Sequence, residues 1–176
     1  MEHEQRQQIL DRVAVKAGDY EEEFISCAQG TFRALQEEFH LPGGEDMLLA
    51  ASFLPGVASR KETCGAFLGG LMALGLLFGR VNRSDPARPG PAPGYADRKK
   101  RTAWRFCKEL EAELGSTQCR DIHAGLMGKE YDFLNPDSFQ EFLEAGGAAY
   151  CRVPPEKAAR IAAAIILDEL ETQKDR

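Results

Sequence analysis

The chain has 176 residues, of which 43% are hydrophobic and 28% are charged, a composition that is typical of one globular domain and too apolar for a disordered chain. The formal net charge of -6 argues against a nucleic-acid-binding surface. Because no basic segment leads into an apolar one near the first methionine, no secretory signal is predicted and we expect a cytoplasmic location.

Two helices are predicted near the amino terminus. Apolar residues at helical spacing indicate a first short helix that ends at Gly18. Asp19 is then expected to begin a second helix, because Asp19 and Glu22 have the spacing of a capping box, which satisfies two free backbone donors. This second helix extends to Phe39 and carries Cys27 on its buried face.

The next two predicted helices differ in length. The shorter covers residues 46–53, and the longer starts at a second capping box formed by Ser59 and Glu62. We expect the longer helix to run to about Arg80 and to hold Cys64 in its second turn.

An uncharged, glycine-rich stretch covers residues 63–79. It is slightly short for a membrane span, which needs roughly 20 apolar residues, so we predict no membrane span and a central helix that neighbouring helices approach closely. The proline-rich stretch at 82–94 has no apolar periodicity and is predicted to be a mobile surface loop.

Helical spacing returns in the second half of the chain. A helix is predicted over 96–114, followed by a short helix that Ser116 caps and that holds Cys119 at its third position. Asp137 is expected to cap a further helix, and the last helix runs from about 155 to 170. Because no stretch alternates as a strand does, residues 1–176 are predicted to form one all-α domain, a bundle of about six or seven helices.

Five cysteines are the residues that most directly suggest chemistry. Their separations are long and include no Cys-x-x-Cys pair, so any common site must be assembled by the fold from different helices. The alternative is that these thiols only pack, since free cysteine is among the most buried residue types. The five positions are Cys27, Cys64, Cys107, Cys119 and Cys151.

The string Cys64-Gly65-Ala66-Phe67-Leu68-Gly69, together with three further cysteines in order, resembles the C_GCAxxG_C_C family of redox-active proteins. The resemblance covers about residues 20–170. It selects Cys27, Cys64, Cys119 and Cys151 as redox or metal-binding residues and leaves Cys107 outside the pattern, where we expect it to pack in the core.

The resemblance implies a redox-active protein, and we expect it to carry electrons for an unidentified partner protein. Four cysteines are the number needed for an iron-sulfur cluster, for a structural zinc or for two disulfides, so their count leaves these alternatives open. We expect the four cysteines to bind an iron-sulfur cluster or another metal, with thiol–disulfide redox chemistry without metal as the alternative. Zinc is the weaker metal option, because structural zinc sites usually include a closely spaced cysteine pair. The remaining alternative is a non-catalytic helical interaction or structural protein that has buried cysteines and no cofactor. Enzymatic activity and the oligomeric state stay open.

Residues beside the cysteines are candidates for shaping the site. Gly65 and Gly69, with Ala66 between them, would let a backbone or a cluster approach the turn that carries Cys64. A packed aliphatic core would instead gain from larger side chains at these positions.

Basic residues follow two of the cysteines. Arg120 after Cys119 and Arg152 after Cys151 are placed where a positive potential would favour thiolate or a negatively charged cluster. His123 lies four residues after Cys119, on the same helical face, and is a secondary candidate that could activate a thiol.

Overall fold

The computed structural model describes residues 1–79 and 95–174, and within them it confirms the all-α class. Eight helices have eight or more residues and two are shorter. The described residues contain no strand, only one isolated antiparallel bridge between Thr63 and Gln118. In chain order the helices are α1 His3–Phe24, α2 Cys27–Phe39, α3 Gly44–Ala51, α4 Gly56–Ser59, α5 Gly65–Phe78, α6 Tyr95–Leu114, α7 Cys119–Met127, α8 Pro136–Glu144, α9 Gly147–Cys151 and α10 Val153–Lys174.

The last helix, α10, lies at the centre of the bundle. It contacts α1, α2, α5, α6 and α9, and small side chains allow these neighbours to approach it from several directions. Its alanines and isoleucines supply a large share of the core, where loss of contact with water is the main stabilising effect. The most buried of them are Ala158, Ala159, Ala162, Ala163, Ile165 and Ile166.

The boundary predicted at Gly18 is wrong, because α1 continues through it to Phe24. A Cβ atom at Gly18 would lie 2.9 Å from Nε of Arg152, so this glycine makes room for a side chain from the end of α9. Asp19 is therefore not a cap, and it pairs with Arg152 at 2.9 Å. The helix ends at Phe24, and its C-cap residue Ile25 adopts a left-handed conformation with φ 50°.

The residue that caps α2 is Ser26, whose side chain accepts from the backbone of Gln29. Cys27 is thus the first residue of α2 and not a member of its central stripe. The predicted cap at Ser59 is also wrong, because Ser59 has a φ of 63°, and the N-cap of α5 is Cys64 itself.

Two further caps differ from prediction in the second half of the chain. Gln118 occupies the N-cap of α7, so Cys119 is the first helical residue and not the third. Asn135 caps α8, accepting from the backbone N–H groups of Asp137 and Ser138 at 2.9 and 3.2 Å, because the proline at position 136 fits the first helical turn.

Two other predictions concern the glycine-rich stretch at 63–79 and the proline-rich stretch that follows it. The predicted loop at 82–94 lies outside the described residues, as does the expected helix end at Arg80. Across the described residues, no helix combines the length and the apolar character that crossing a membrane requires.

Candidate redox site

All four cysteines selected from the sequence line one cavity of about 490 Å³. Cys27 is the first residue of α2, Cys64 is the N-cap of α5 and Cys119 is the first residue of α7. Cys151 is the last residue of α9. Three helix N-termini therefore bring a thiol to the same space, and the positive ends of their dipoles favour negative charge there.

Backbone hydrogen bonds tie the segment before α5 to the segment before α7. The Cys64 N–H donates to the carbonyl of Thr117 at 2.9 Å, and the Cys119 N–H donates to the carbonyl of Glu62 at 2.6 Å. These bonds flank the bridge between Thr63 and Gln118. Cys64 and Cys119, which are distant along the chain, are consequently held at the same end of the bundle.

Two glycines of the Cys64–Gly69 string allow α5 to lie directly on α2. A Cβ atom at Gly65 would lie 2.7 Å from Sγ of Cys27, and one at Gly69 would lie 3.0 Å from Cβ of Thr31. Both distances are shorter than van der Waals contact permits. The space expected beside Cys64 is therefore filled by α2 and by the sulfur of Cys27, while Ala66 is fully buried in the core.

The first pair of thiols is formed by Cys27 and Cys64. A hydrogen bond with the Cys64 thiol, followed by burial, raises the pKa of Cys27 well above its ordinary value. The backbone N–H of Gly65 donates toward the same sulfur and acts in the opposite direction. Because the raising effects are larger, the thiol of Cys27 stays protonated at neutral pH.

The second pair of thiols meets at His123. Nε2 of His123 lies 3.2 Å from Sγ of Cys151 and 3.9 Å from Sγ of Cys119. Burial raises the pKa of Cys119 to about 12 and also raises that of Cys151, whereas burial lowers the pKa of His123. A neutral imidazole therefore faces protonated thiols, so Nε2 accepts and the ring proton belongs on Nδ1.

A carboxyl that the sequence analysis missed also lines the cavity. Glu21 is only 5% exposed, its Oε2 atom has no hydrogen-bond partner, and burial raises its pKa to about 8. The available signal was its position on α1, since Glu21 continues the buried stripe of Leu10, Ala14 and Ala17. A carboxylate in register with an apolar helical face is expensive to bury and therefore indicates a function.

Aromatic and aliphatic side chains form the rest of the cavity wall. The rings of His123 and Phe142 are stacked with centroids 5.8 Å apart, and Phe133 packs edge-on against Phe142 at 4.9 Å. Phe53 and Leu134 line the same cavity although they are 81% and 72% exposed. The site thus has a polar side that carries the thiols and an apolar side that reaches solvent.

The family model described as "Putative redox-active protein (C_GCAxxG_C_C)" matches residues 25–165. The chain belongs to this family. The matched region contains every cysteine of the cavity, and the resemblance noted from the Cys64–Gly69 string is confirmed. Comparison with curated proteins and with solved structures found no match.

Three residues considered in the sequence analysis do not lie at the cavity. Arg120 is exposed and bonds only weakly to Gln118, at 3.5 Å. Arg152 pairs with carboxylates of α1 and α10 and does not line the cavity. Cys107 packs against the core away from the other thiols. The positive charge that acts on Cys119 comes instead from Lys61, which lines the cavity, but burial outweighs it and raises the pKa of this thiol.

One edge of the cavity is a strained segment, residues 56–61. Its hydrogen bonds hold it in place, including Ala58 N–H to Phe53 carbonyl at 2.9 Å. Left-handed backbone costs a non-glycine residue about 1–2 kcal/mol, and such strain is concentrated at functional sites. The residues with positive φ are Gly56, Val57, Ala58, Ser59 and Lys61.

Metal binding by the four cysteines depends on how closely their side chains converge. Thiolates are suitable ligands for zinc and for iron-sulfur clusters. Within the two described ranges, however, no three His, Cys, Asp or Glu side chains are arranged to hold a metal ion. As placed, the thiols occur in two pairs on the wall of the cavity and do not fit a single metal centre.

Proposed function

We propose that this C_GCAxxG_C_C protein is a thiol–disulfide redox protein with two cysteine pairs, Cys27 with Cys64 and Cys119 with Cys151. The observation that supports this function best is the pairwise approach of the thiols in one cavity. The sulfur of Cys27 lies against Gly65, the residue after Cys64, and the sulfurs of Cys119 and Cys151 lie 3.9 and 3.2 Å from the same nitrogen of His123.

The chemistry of each pair is a two-electron oxidation. Two thiols lose two protons and two electrons as one S–S bond forms, and a two-electron acceptor takes the electrons. His123 serves the second pair, since its Nε2 accepts the proton of a thiol that would otherwise ionise rarely. In a reducing compartment such as the cytoplasm, which the sequence predicts, the pairs would return to thiols.

An iron-sulfur cluster is the second candidate function. It is favoured by the three helix N-termini that carry Cys27, Cys64 and Cys119 to one cavity, because their dipoles would stabilise thiolates or a cluster of negative charge. It would require the thiols to leave their present pairs, so it ranks below disulfide exchange. In either function the protein would carry electrons for a partner protein.

The test begins with anaerobic purification and analysis of iron, zinc and acid-labile sulfide. Metal-free protein is then oxidised with diamide, a thiol oxidant, and digested for mass spectrometry of disulfide-linked peptides. We expect links from Cys27 to Cys64 and from Cys119 to Cys151, reversible with dithiothreitol. Cys107→Ser is the matched control, because Cys107 lies outside the cavity and its loss should leave both links unchanged.

Three results would contradict the proposal. Stoichiometric iron and sulfide with visible absorbance would favour the cluster. Stoichiometric zinc that blocks oxidation would favour a structural metal site. Thiols that resist diamide until the protein is denatured would indicate that the cysteines only pack.

A further inference from the structure

We propose that the cavity binds a quinone-class molecule, a planar apolar ring with two carbonyl oxygens, which accepts the electrons of the cysteine pairs. The inference rests on the proposed function, since it names the acceptor that disulfide formation requires. It depends on the size of the cavity, on its apolar wall and on two unpartnered polar atoms within it.

The cavity has the size and lining of a small-molecule site. Its volume of about 490 Å³ lies within the usual range for pockets that enclose drug-sized ligands, roughly 300–1,000 Å³. Phe133, Phe139 and Phe142 provide aromatic surfaces, which favour stacked or edge-on contact with another ring. A flat apolar molecule would therefore gain contacts along this wall while its edge reaches the thiols.

Two buried polar atoms lack a partner among the described residues, and both belong to residues that line this cavity. They are Oε2 of Glu21 and Nδ1 of His123, on side chains that are each only 5% exposed. An unpaired buried polar atom is costly, so a ligand that satisfies it is favoured. This pair of atoms is the strongest indication of an absent ligand.

Both unpartnered groups are hydrogen-bond donors in the reduced protein. Nδ1 of His123 carries the ring proton, because Nε2 accepts from the thiol of Cys151. The carboxyl of Glu21 is largely protonated at neutral pH, since burial raises its pKa to about 8. Two donors in an apolar cavity match a ligand with two acceptors, and the two carbonyl oxygens of a quinone supply them.

The reaction balances with these groups alone. Two thiols become one disulfide and release two protons and two electrons. The quinone takes up these two protons and two electrons and becomes a quinol. At the second pair, Nδ1 of His123 gives its proton to a carbonyl oxygen while Nε2 receives the proton of Cys151. Glu21 gives its carboxyl proton to the other carbonyl oxygen of the quinone, and the thiol of Cys119 then reprotonates Glu21.

Access to the cavity is provided by its exposed apolar rim. Ile25, Phe53 and Leu134 line the cavity and are 52%, 81% and 72% exposed. Exposed apolar side chains beside a concave site are typical of the entrance for an apolar ligand.

The test uses duroquinone, whose methyl-substituted ring resists addition of thiols. Fully reduced protein is mixed with it anaerobically in a stopped-flow instrument, and quinol formation is followed by absorbance while remaining thiols are counted. We expect two thiols lost per quinol formed and a rate that saturates with quinone concentration. A rate that stays linear in quinone concentration, or that is equal in denatured protein, would overturn the inference.

Two matched comparisons locate the ligand. Leu134→Ser should raise the half-saturating concentration by about tenfold through loss of apolar contact, whereas Leu49→Ser should not, because Leu49 is equally exposed but outside the cavity. Glu21→Gln should lower the saturated rate by roughly a hundredfold, with exposed Glu23→Gln as control. Equal effects of a variant and its control would also overturn the inference.

Failure of this inference is distinguishable from failure of the proposed function. If diamide forms both predicted disulfides but duroquinone is not reduced, the cysteine pairs are redox-active and the quinone assignment is wrong. If neither oxidant forms a disulfide in the folded protein, both assignments are wrong. Rapid oxidation by an apolar disulfide peptide but not by duroquinone would assign the cavity to a peptide instead.

Discussion

Nε2 of His123 lies 3.2 Å from Sγ of Cys151, although the two residues belong to different helices and are 28 positions apart. The same nitrogen is 3.9 Å from Sγ of Cys119, one helical turn before it. Burial raises the pKa of both thiols and lowers that of the imidazole. One neutral base thereby contacts two thiols that would otherwise hold their protons.

This relationship predicts that loss of the imidazole slows only one disulfide. In His123→Gln, formation of the link between Cys119 and Cys151 should slow by about a hundredfold, the usual contribution of a positioned base. The link between Cys27 and Cys64 should form at the original rate. Quenched oxidation with diamide, followed by mass spectrometry of each linked peptide, measures both rates.

The control for this experiment is His3→Gln, because His3 is exposed at the start of α1. It should change neither rate. Equal slowing of both links in His123→Gln would indicate a general disturbance of the site and would argue against the imidazole as the base.

Burial of Glu21 predicts an unusual dependence of stability on pH. Its pKa rises from 4.5 to about 8 on folding, so the unfolded chain loses this proton first. The contribution of Glu21 to the free energy of unfolding is fully present below pH 4.5. It is lost as the pH rises toward 8, by roughly 3–5 kcal/mol in total. Thermal unfolding of Glu21→Gln should lack this decrease.

The matched variant is Glu23→Gln, at an exposed position of the same helix. It should retain the pH dependence of the original chain. A stability that rises between pH 5 and pH 8 equally in all three proteins would show that Glu21 is ionised in the folded state.

Close contact between α5 and α2 predicts different results for two glycines of one helix. Gly65→Ala should destabilise the protein by about 2–3 kcal/mol, because the new Cβ would lie 2.7 Å from Sγ of Cys27 and 2.9 Å from the backbone nitrogen of Ala28. Gly75 has open space around it, so Gly75→Ala should stabilise α5 by about 1 kcal/mol. Urea unfolding measures the free energy of unfolding of both variants. Equal effects of the two substitutions would contradict the close contact between α5 and α2.

The strained edge of the cavity predicts a stabilising glycine. Ala58 has a φ of 58°, and glycine adopts this conformation without steric cost, so Ala58→Gly should stabilise the protein by up to about 1 kcal/mol. The same change at Ala112, which is exposed inside α6, should destabilise it by about 1 kcal/mol. Thermal unfolding of both variants checks the sign, and destabilisation by Ala58→Gly would contradict a left-handed residue 58.

Helical periodicity identified the class of the fold, but capping patterns in the sequence predicted several helix ends at the wrong residues. Asp19 with Glu22 and Ser59 with Glu62 both have capping-box spacing, yet neither pair caps a helix. At Asp19 the ion pair with Arg152 replaces the cap, and at Ser59 the backbone turns into the strained edge of the cavity. Tertiary contacts outweighed local preferences worth only about 1 kcal/mol.

Part of the candidate site could also be predicted from the sequence. The Cys64–Gly69 string and the order of the remaining cysteines identified the family and the four thiols, which the structure places on one cavity. Glu21 was missed, because it continues the buried stripe of α1 only if that helix runs past Gly18, where the sequence analysis placed its end. Arg120 and Arg152 were selected for adjacency along the chain, but their side chains point elsewhere.

The amino-acid sequence by itself determined the helical class, the family and which thiols are candidates, since these depend on periodicity and on residue identity at motif positions. Only the tertiary structure decided that the four thiols line one cavity, that His123 contacts two of them and that Glu21 is buried in the same cavity wall. The physical reason is that pairing, burial and shifted pKa values arise from contacts between helices that are distant along the chain.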